Sequence, residues 1–354
     1  MEKINKNIGI FILNYNGLNW IKSNLPNIIL HSPNAEITII DNNSKDSSIN
    51  YIENNFAQIS VIKHKKNYGF SKAYNKVLLN NFHHDYFVIM NNDVKVTSNW
   101  LQPMLHLMKK PNIGIVQPKI MNYGRKKYFD YAGAAGGFID VYGIPFCRGR
   151  IINNIEKDTN QYESNTQIFW ASGCCFMIKR DVFQILNGFD EDFFMHQEEI
   201  DLCWRAQGVN IKSYYCAKST IYHYGGGTLQ SNNPMKNYYN HKNNLLLILK
   251  NMSFKLLVGI LPLRLLMDYI LILYYFISGF LLIILNTYQK SNKKSFNIFK
   301  TSFMILFAHL SILVILPKFI KKRSPIKTNK IYKNSILFDY YIRRKKTFLK
   351  LNNF

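Results

Sequence analysis

Short apolar runs and amphipathic segments alternate through the first third of the chain. Apolar runs at 8–16 (IGIFILNYN), 37–44 (ITIIDNNS), 59–64 (ISVIKH) and 86–93 (YFVIMNND) have the length and bounding residues of buried strands. Between them, apolar positions recur at helical spacing over roughly 18–30, 46–56, 71–80 and 100–108. This alternation predicts an α/β fold with a parallel sheet covered by helices. Ligands in such sheets bind beyond the carboxyl ends of the strands. Asn14, Asp41 and Asp93 all fall at those ends. A further strand is expected at 114–120. Residues 121–165 are rich in Gly, Tyr and polar side chains and read as loops or a short hairpin. The apolar run 168–183 passes into a helix start at Arg180-Asp181.

The character changes after about residue 245. Residues 269–285 and 303–317 are almost wholly apolar, each somewhat short of the ~20 residues that cross a bilayer. The first run can be extended back through 256–268, where Arg264 and Asp268 stand four apart and can pair on a helix. The division expected is therefore an α/β domain over 1–250 and a hydrophobic, basic helical region over 251–354. That region is either an ordinary helical subdomain or a membrane-associated hairpin or in-plane anchor.

Charge sharpens the second choice. Lys and Arg outnumber Asp and Glu by 45 to 21 across 354 residues, a formal charge of +24 that points to an anionic partner. Basic clusters recur after residue 290, at Lys293-Lys294, Lys321-Lys322-Arg323 and Arg343-Arg344-Lys345-Lys346. Basic residues beside apolar helices favour anionic lipid and the cytoplasmic face, and fit lipid better than nucleic acid. The five cysteines are odd in number and form no CxxC pair, so neither a disulfide framework nor a structural zinc site is expected. A reducing compartment fits best. The N-terminal stretch has no long apolar segment followed by a small-residue cleavage site, so no secretory signal is expected.

Several stretches carry candidate chemistry. Asn91, Asn92 and Asp93 present oxygens at one strand end. Asp93 is either a turn or cap residue or a ligand for a hard divalent cation, which needs only one or two carboxylates when phosphates complete its shell. Asp41 divides equally between turn stabilisation and hydrogen bonding to a base or ribose. Gly69 leads into a helix start, where free N–H groups bind phosphate. His223 precedes a glycine run; a lone histidine reads as a structural residue, and the run suggests close approach of backbone to a ligand, or a mobile loop. The stretch 193–205, FFMHQEEIDLCWR, sets three carboxylates among apolar residues. A helix beginning near Gln197 or Glu198 places Glu198, Asp201 and Arg205 on one face and pairs Asp201 with Arg205. Glu199 is left without an evident partner. The helix dipole favours its anion, the form a general base needs.

Taken in order, FILNYNG (11–17), IIDNNSKDSS (39–48), NYGFSKAYN (67–75), NND (91–93), ASGCCFMIKRDVF with NGFDEDFFMHQEEIDLCWR (171–205) and YHYGGGT (222–228) resemble family 2 glycosyltransferases, particularly the rhamnosyltransferase-like branch. The resemblance covers roughly residues 8–250. It implies a GT-A fold, a nucleotide-diphosphate sugar donor and inverting transfer assisted by Mg²⁺ or Mn²⁺. It further implies that Asp41 contacts the base and that Asn14 and Asn16 line the nucleotide pocket, with Asn92 beside them. Asn67, Gly69 and Asn75 would shape the loop next to the diphosphate. Asp93 would hold the metal, with His223 as a second ligand. Relatives usually carry Asp-x-Asp where this chain has Asn91-Asn92-Asp93, which leaves Asp93 as the acid. They usually carry Glu-Asp-x-Asp where this chain has Glu198-Glu199-Ile200-Asp201. The base position is the second acid, but the extra methylene moves the carboxylate by about 1.5 Å. The assignment stays open between Glu199 and Glu198.

The expected activity is addition of a sugar to a glycan or lipid-linked glycan acceptor at the cytoplasmic membrane face. Transfer of a hexose to polyprenyl phosphate is the competing enzymatic reading, and a non-catalytic sugar-nucleotide-binding membrane protein the competing non-enzymatic one.

Overall fold

A computed structural model describes residues 7–81, 83–225, 233–285, 292–328 and 330–351. Gly226, Gly227 and Thr228 of the glycine run, and the side chains of Lys293 and Lys294, lie outside the described residues. The chain divides into two compact units, 1–227 with 328–354, and 228–327.

The first unit begins β1 (Ile8–Asn14), α1 (Leu18–His31), β2 (Glu36–Asp41), α2 (Ser48–Asn55), β3 (Ser60–Lys63), α3 (Ser71–Leu78) and β4 (Tyr86–Asn91). It continues with β5 (Val94–Val96), α4 (Leu101–Met108) and β6 (Ile113–Asn122). These elements follow the periodicity of the sequence closely. Along β1, Ile8, Ile10 and Ile12 alternate with Phe11, and all four are buried, because helices cover both faces of the sheet. Ile21, Leu25 and Ile28 of α1 and Leu101, Met104, Leu107 and Met108 of α4 complete one core layer with Trp100.

Residues 121–165 are more structured than a loop or single hairpin. They hold β7 (Gly137–Ile139), β8 (Pro145–Cys147), β9 (Arg150–Ile151) and β10 (Asn154–Ile155), an antiparallel four-stranded sheet. These strands have two or three residues each, too short to show a period. Then follow β11 (Thr166–Ile168), β12 (Cys175–Lys179), α5 (Arg180–Ile185), α6 (Glu198–Gly208) and β13 (Lys212–His223).

The main sheet has the order β11-β13-β6-β12-β4-β1-β2-β3, with β5 paired to β13. Strands β1 to β4 pair in parallel, as expected. The sheet as a whole is mixed, which corrects the expectation of a parallel sheet. Strand β12 runs antiparallel to both β4 and β6. Strand direction leaves no trace in an apolar run, and a strand returning from a long excursion inserts in either sense.

The division of the chain also differs from a cut at 250. Residues 328–351 rejoin the first unit: Tyr332 N–H donates to Ile139 O at 2.9 Å, Ile336 N–H to Asp140 Oδ2 at 2.9 Å and Phe348 N–H to Glu156 Oε1 at 3.0 Å. Part of the basic tail is internally paired there, since α10 (Ile336–Tyr341) carries Asp339, which meets Arg343 at 3.2 Å and Lys345 at 3.8 Å.

The second unit holds α7 (Pro234–Asn251), α8 (Phe254–Leu285) and α9 (Asn292–Lys321). Helix α8 absorbs the run at 256–268, so its apolar span is 32 residues rather than 17 and exceeds the bilayer requirement. A second apolar span covers Ser295–Lys321, 27 residues. Both helices leave large apolar side chains outside, among them Leu273, Tyr274, Leu285, Leu313 and Val314.

Candidate active site

The carboxyl ends of β1, β2 and β4 share one edge. Register places Asn14 opposite Asp41 and Leu13 opposite Asn91. Asn14 is fully buried and acts as a hub. Its Nδ2 donates to Ser48 Oγ at 2.9 Å and Ser44 Oγ at 3.1 Å, and its Oδ1 accepts from Asn92 Nδ2 at 2.9 Å. Asp41 accepts from Ser44 N–H at 3.1 Å, so the turn role of its carboxylate is realised. Asn16 adopts φ 50° and accepts from Lys45 N–H at 2.7 Å, fixing the β1–α1 turn against the β2–α2 turn. Gly17 lies where a Cβ would sit 2.1 Å from Asn92 Nδ2, so a side chain there would break the Asn14–Asn92 bond. Asp46 joins two helix starts by accepting from Leu18 N–H at 2.9 Å and Ser48 N–H at 3.1 Å. Burial raises its pKa, and these hydrogen bonds outweigh it to leave the carboxyl below its ordinary value.

The loop before α3 closes the same edge. Asn67 Oδ1 accepts from Asn42 Nδ2 and from Gly69 N–H, both at 2.9 Å. Gly69 has φ +76°, and its Cβ position lies 2.4 Å from Phe194 O, so only glycine fits. Asn75 stands apart from this group. Its Nδ2 donates to Phe189 O at 2.8 Å and its Oδ1 accepts from Phe189 N–H at 2.9 Å. The amide clamps the backbone leading to α6.

Past β4, Asp93 and His223 come together, as the sequence motifs anticipated. Strand β13 ends with His223 in register with Val94 of β5. His223 Nε2 lies 3.3 Å from Asp93 Oδ1, and its Nδ1 pairs with Asp130 Oδ1 at 2.8 Å. Burial pulls the imidazole pKa down, but its surroundings outweigh this and hold it well above the ordinary value. Among them the carboxylates of Asp93 and Asp130 dominate, because burial keeps the neighbouring Cys174 thiol neutral. Asp93 is buried, and its Oδ1, 3.3 Å from His223 Nε2, makes no well-aligned hydrogen bond among the described residues. An orphaned carboxylate oxygen beside an imidazole anchored through its other nitrogen suits a divalent cation, which would displace the imidazolium proton. Asp130 lies in the stretch 121–165 and has no motif of its own, so sequence reasoning missed it.

The acid pair opens α6. His196 and Gln197 both have positive φ, 68° and 72°, and this double left-handed turn aims the helix start inward. Asp201 is fully buried and pairs with Arg205 at 2.7 Å, as the spacing predicts. Arg205 does not extend to Glu198. Its remaining nitrogens donate to Leu186 O at 2.5 Å and Gly188 O at 2.8 Å. Glu198 and Glu199 therefore face each other's charge without a cation. Burial pushes the Glu199 carboxyl up to about 7, against the backbone N–H groups of Glu199, Gly173, Gln197 and Ile200. Burial, then the charge of Glu199, drives Glu198 well above its ordinary value. This corrects the expectation that the helix dipole keeps Glu199 fully ionised at neutral pH. Desolvation is the larger effect here. Oε2 of Glu199 makes no hydrogen bond among the described residues.

Residues 173 and 174 connect these two groups. Gly173 N–H points to the Glu199 carboxylate. Cys174 O accepts from Asn91 N–H at 3.0 Å, and the Cys174 thiol adjoins His223. The sequence stretch ASGCC drew attention only as part of an ordered motif; its position shows the reason.

The sequence profile described as "Glycosyl transferase family 2" matches residues 9–186, just over half of the chain. Among curated proteins, the chain is 25% identical over 213 residues to "Low-salt glycan biosynthesis hexosyltransferase Agl10" of Haloferax volcanii, covering 59% of this chain and 64% of that protein. It is 23% identical to "Rhamnosyltransferase WbbL" of Escherichia coli K12, over 61% of this chain and 82% of the relative. A third relative, "N-acetylglucosaminyl-diphospho-decaprenol L-rhamnosyltransferase" of Mycobacterium tuberculosis, is 22% identical over 54% of this chain and 66% of its own length. The chain thus spans slightly less than two thirds of the first and third of these relatives. The fold is similar to that of a mannosyltransferase from Pyrobaculum calidifontis solved with GDP-Man and Mn²⁺, with TM-score 0.51, 11% identity and 87% of both chains covered. It is also similar to GalNAc-T7 solved with UDP, GalNAc and Mn²⁺, with TM-score 0.52, 16% identity, and 62% of this chain and 43% of that one covered. The strand-end network, the GT-A-like mixed sheet and the profile match agree: this chain belongs to glycosyl transferase family 2.

Proposed function

We propose that the protein transfers a sugar from a nucleotide-diphosphate donor to a hydroxyl of a glycan or lipid-linked glycan, with inversion at the anomeric carbon. The observation that carries this reading is the buried Glu198–Glu199 pair, joined through Gly173 and Cys174 to the Asp93–His223–Asp130 group. Glu199 removes the acceptor proton. Its pKa of about 7 suits that role, since a base works best when its pKa lies near the working pH. Burial and the charge of Glu199 favour the protonated form of Glu198, so the pocket carries less than two full charges. Asp93 and His223 hold a divalent cation, Mg²⁺ or Mn²⁺, with Asp130 fixing the imidazole. When bound, that ion neutralises charge on the departing nucleotide diphosphate. Asp41 and Asn67 receive the nucleoside, while Asn14, Asn16 and Asn92 set the shape of its pocket, and the N–H groups after Gly69 face the diphosphate.

The names of the hexosyl- and rhamnosyltransferase relatives support a glycan or lipid-linked acceptor. Helices α8 and α9 support association with an anionic membrane surface, at the cytoplasmic face, where basic residues gather. The test is a thermal-shift panel of nucleotide diphosphates and nucleotide sugars with Mn²⁺, since stabilisation tracks affinity. One nucleotide class should raise Tm in wild type and lose its Mn²⁺ dependence in Asp93→Ala, together with turnover. Uniform indifference to every nucleotide would overturn the reading. Transfer to polyprenyl phosphate itself, rather than to an oligosaccharide-lipid, would appear as a different product by thin-layer analysis.

A further inference from the structure

A second titratable cluster lies within the unit 228–327, where the apolar helices α8 and α9 meet the more polar α7. Asp268 of α8 is buried. Its Oδ1 meets Arg264 of the same helix and lies 2.9 Å from Nδ1 of His241 on α7. Its Oδ2 lies 3.1 Å from Nε2 of His309 on α9. Arg264 Nη2 reaches Asn244 Oδ1 at 3.4 Å, and the Tyr269 ring packs edge-on against His309 at 5.3 Å. Arg264 alone balances the Asp268 charge, so the two histidines are not needed for neutrality. Ionisable groups in apolar helices are costly and commonly serve a function.

The geometry explains them. One ligand atom from each of His241, Asp268 and His309 lies within 4.8 Å of the other two. Nδ1 of His241, although 2.9 Å from the carboxylate, makes no well-aligned hydrogen bond among the described residues. Ligands bonded to zinc at about 2.0–2.1 Å in a tetrahedron stand about 3.3 Å apart. His309 Nε2 stands 3.1 Å from Asp268 Oδ2, just under that edge, and His241 Nδ1 reaches the same carboxylate through its other oxygen at 2.9 Å. We propose that His241, Asp268 and His309 bind a divalent transition-metal ion of the zinc class, which staples α7, α8 and α9 together. Two imidazoles and one carboxylate suit such ions and disfavour Mg²⁺ or Ca²⁺, which take oxygen ligands. Arg264 opposes a second cation, and this too selects an ion held by strong imidazole bonds rather than by charge alone. Arg264 stays on Oδ1 and orients the carboxylate from outside the ligand set. The fourth position is left to water.

This site does not depend on the glycosyl-transfer reading. The full chain is purified in detergent as the Asp93→Ala variant, which removes the ion proposed at the active site, then stripped with chelator and titrated with Co²⁺ as the probe. One equivalent of Co²⁺ per chain with an intense tetrahedral visible spectrum, displaced by Zn²⁺, is expected. His241→Gln and His309→Gln in the same background should each abolish the spectrum. No bound Co²⁺ in the parent, or an unchanged spectrum in both histidine variants, overturns the proposal. The first outcome is read on a protein with the cluster intact, so it does not rely on the variants folding.

Discussion

Replacing Glu199 by Gln separates the proton-transfer role of this side chain from its cost to the fold. The carboxyl is lifted by burial from 4.5 to about 7. At 1.36 kcal/mol per pH unit, that rise corresponds to at most about 3 kcal/mol. The sign follows from proton binding. Between these two values the folded protein holds a proton that the unfolded chain has released, so stability is full below about pH 4.5 and falls as pH rises towards 7. Urea unfolding at a series of pH values should show this decline in wild type. Glu199→Gln should remove much of it and make the protein more stable than wild type at neutral pH. Transfer should behave oppositely. Wild-type kcat/KM should rise with pH through about 7, and Glu199→Gln should lose ~10²–10⁴-fold in transfer with nucleotide affinity unchanged. Glu198→Gln should retain most of the transfer and leave the pH midpoint near 7, because burial, not charge on Glu198, lifts the Glu199 carboxyl. Full transfer by Glu199→Gln, or a wild-type rate independent of pH across neutrality, would refute the assignment. Loss of transfer in Glu198→Gln alone would give the base role to Glu198.

Three further outcomes are expected. Asp130→Asn should weaken Mn²⁺ binding by about 10–100-fold in calorimetric titration without unfolding the protein, since Asp130 fixes the imidazole of His223. Arg205→Ala should lower stability by ~3–5 kcal/mol in urea titration, because it leaves the fully buried Asp201 unpaired. Gly17→Ala should weaken nucleotide affinity in a thermal-shift assay, as a Cβ there sits 2.1 Å from Asn92 Nδ2 and forces the Asn14–Asn92 bond apart.

The sequence by itself determined the elements with a clear period. Strands β1 to β4 and their intervening helices follow from apolar spacing, and the Asp201–Arg205 and Arg264–Asp268 pairs follow from helical geometry. These are local properties, written within a few residues. Tertiary structure decided what depends on distant partners. The antiparallel sense of β12, the return of 328–351 to the first unit and the four short strands within 121–165 have no local signature. The same holds for the Asn75 amide, which clamps Phe189, 114 residues away. It holds for Asp130, which meets His223 across 93 residues. Protonation is the clearest case. A helix start alone favours the Glu199 anion, whereas burial raises its pKa to about 7 even against the Gly173 N–H, because desolvation is set by everything packed around a charge.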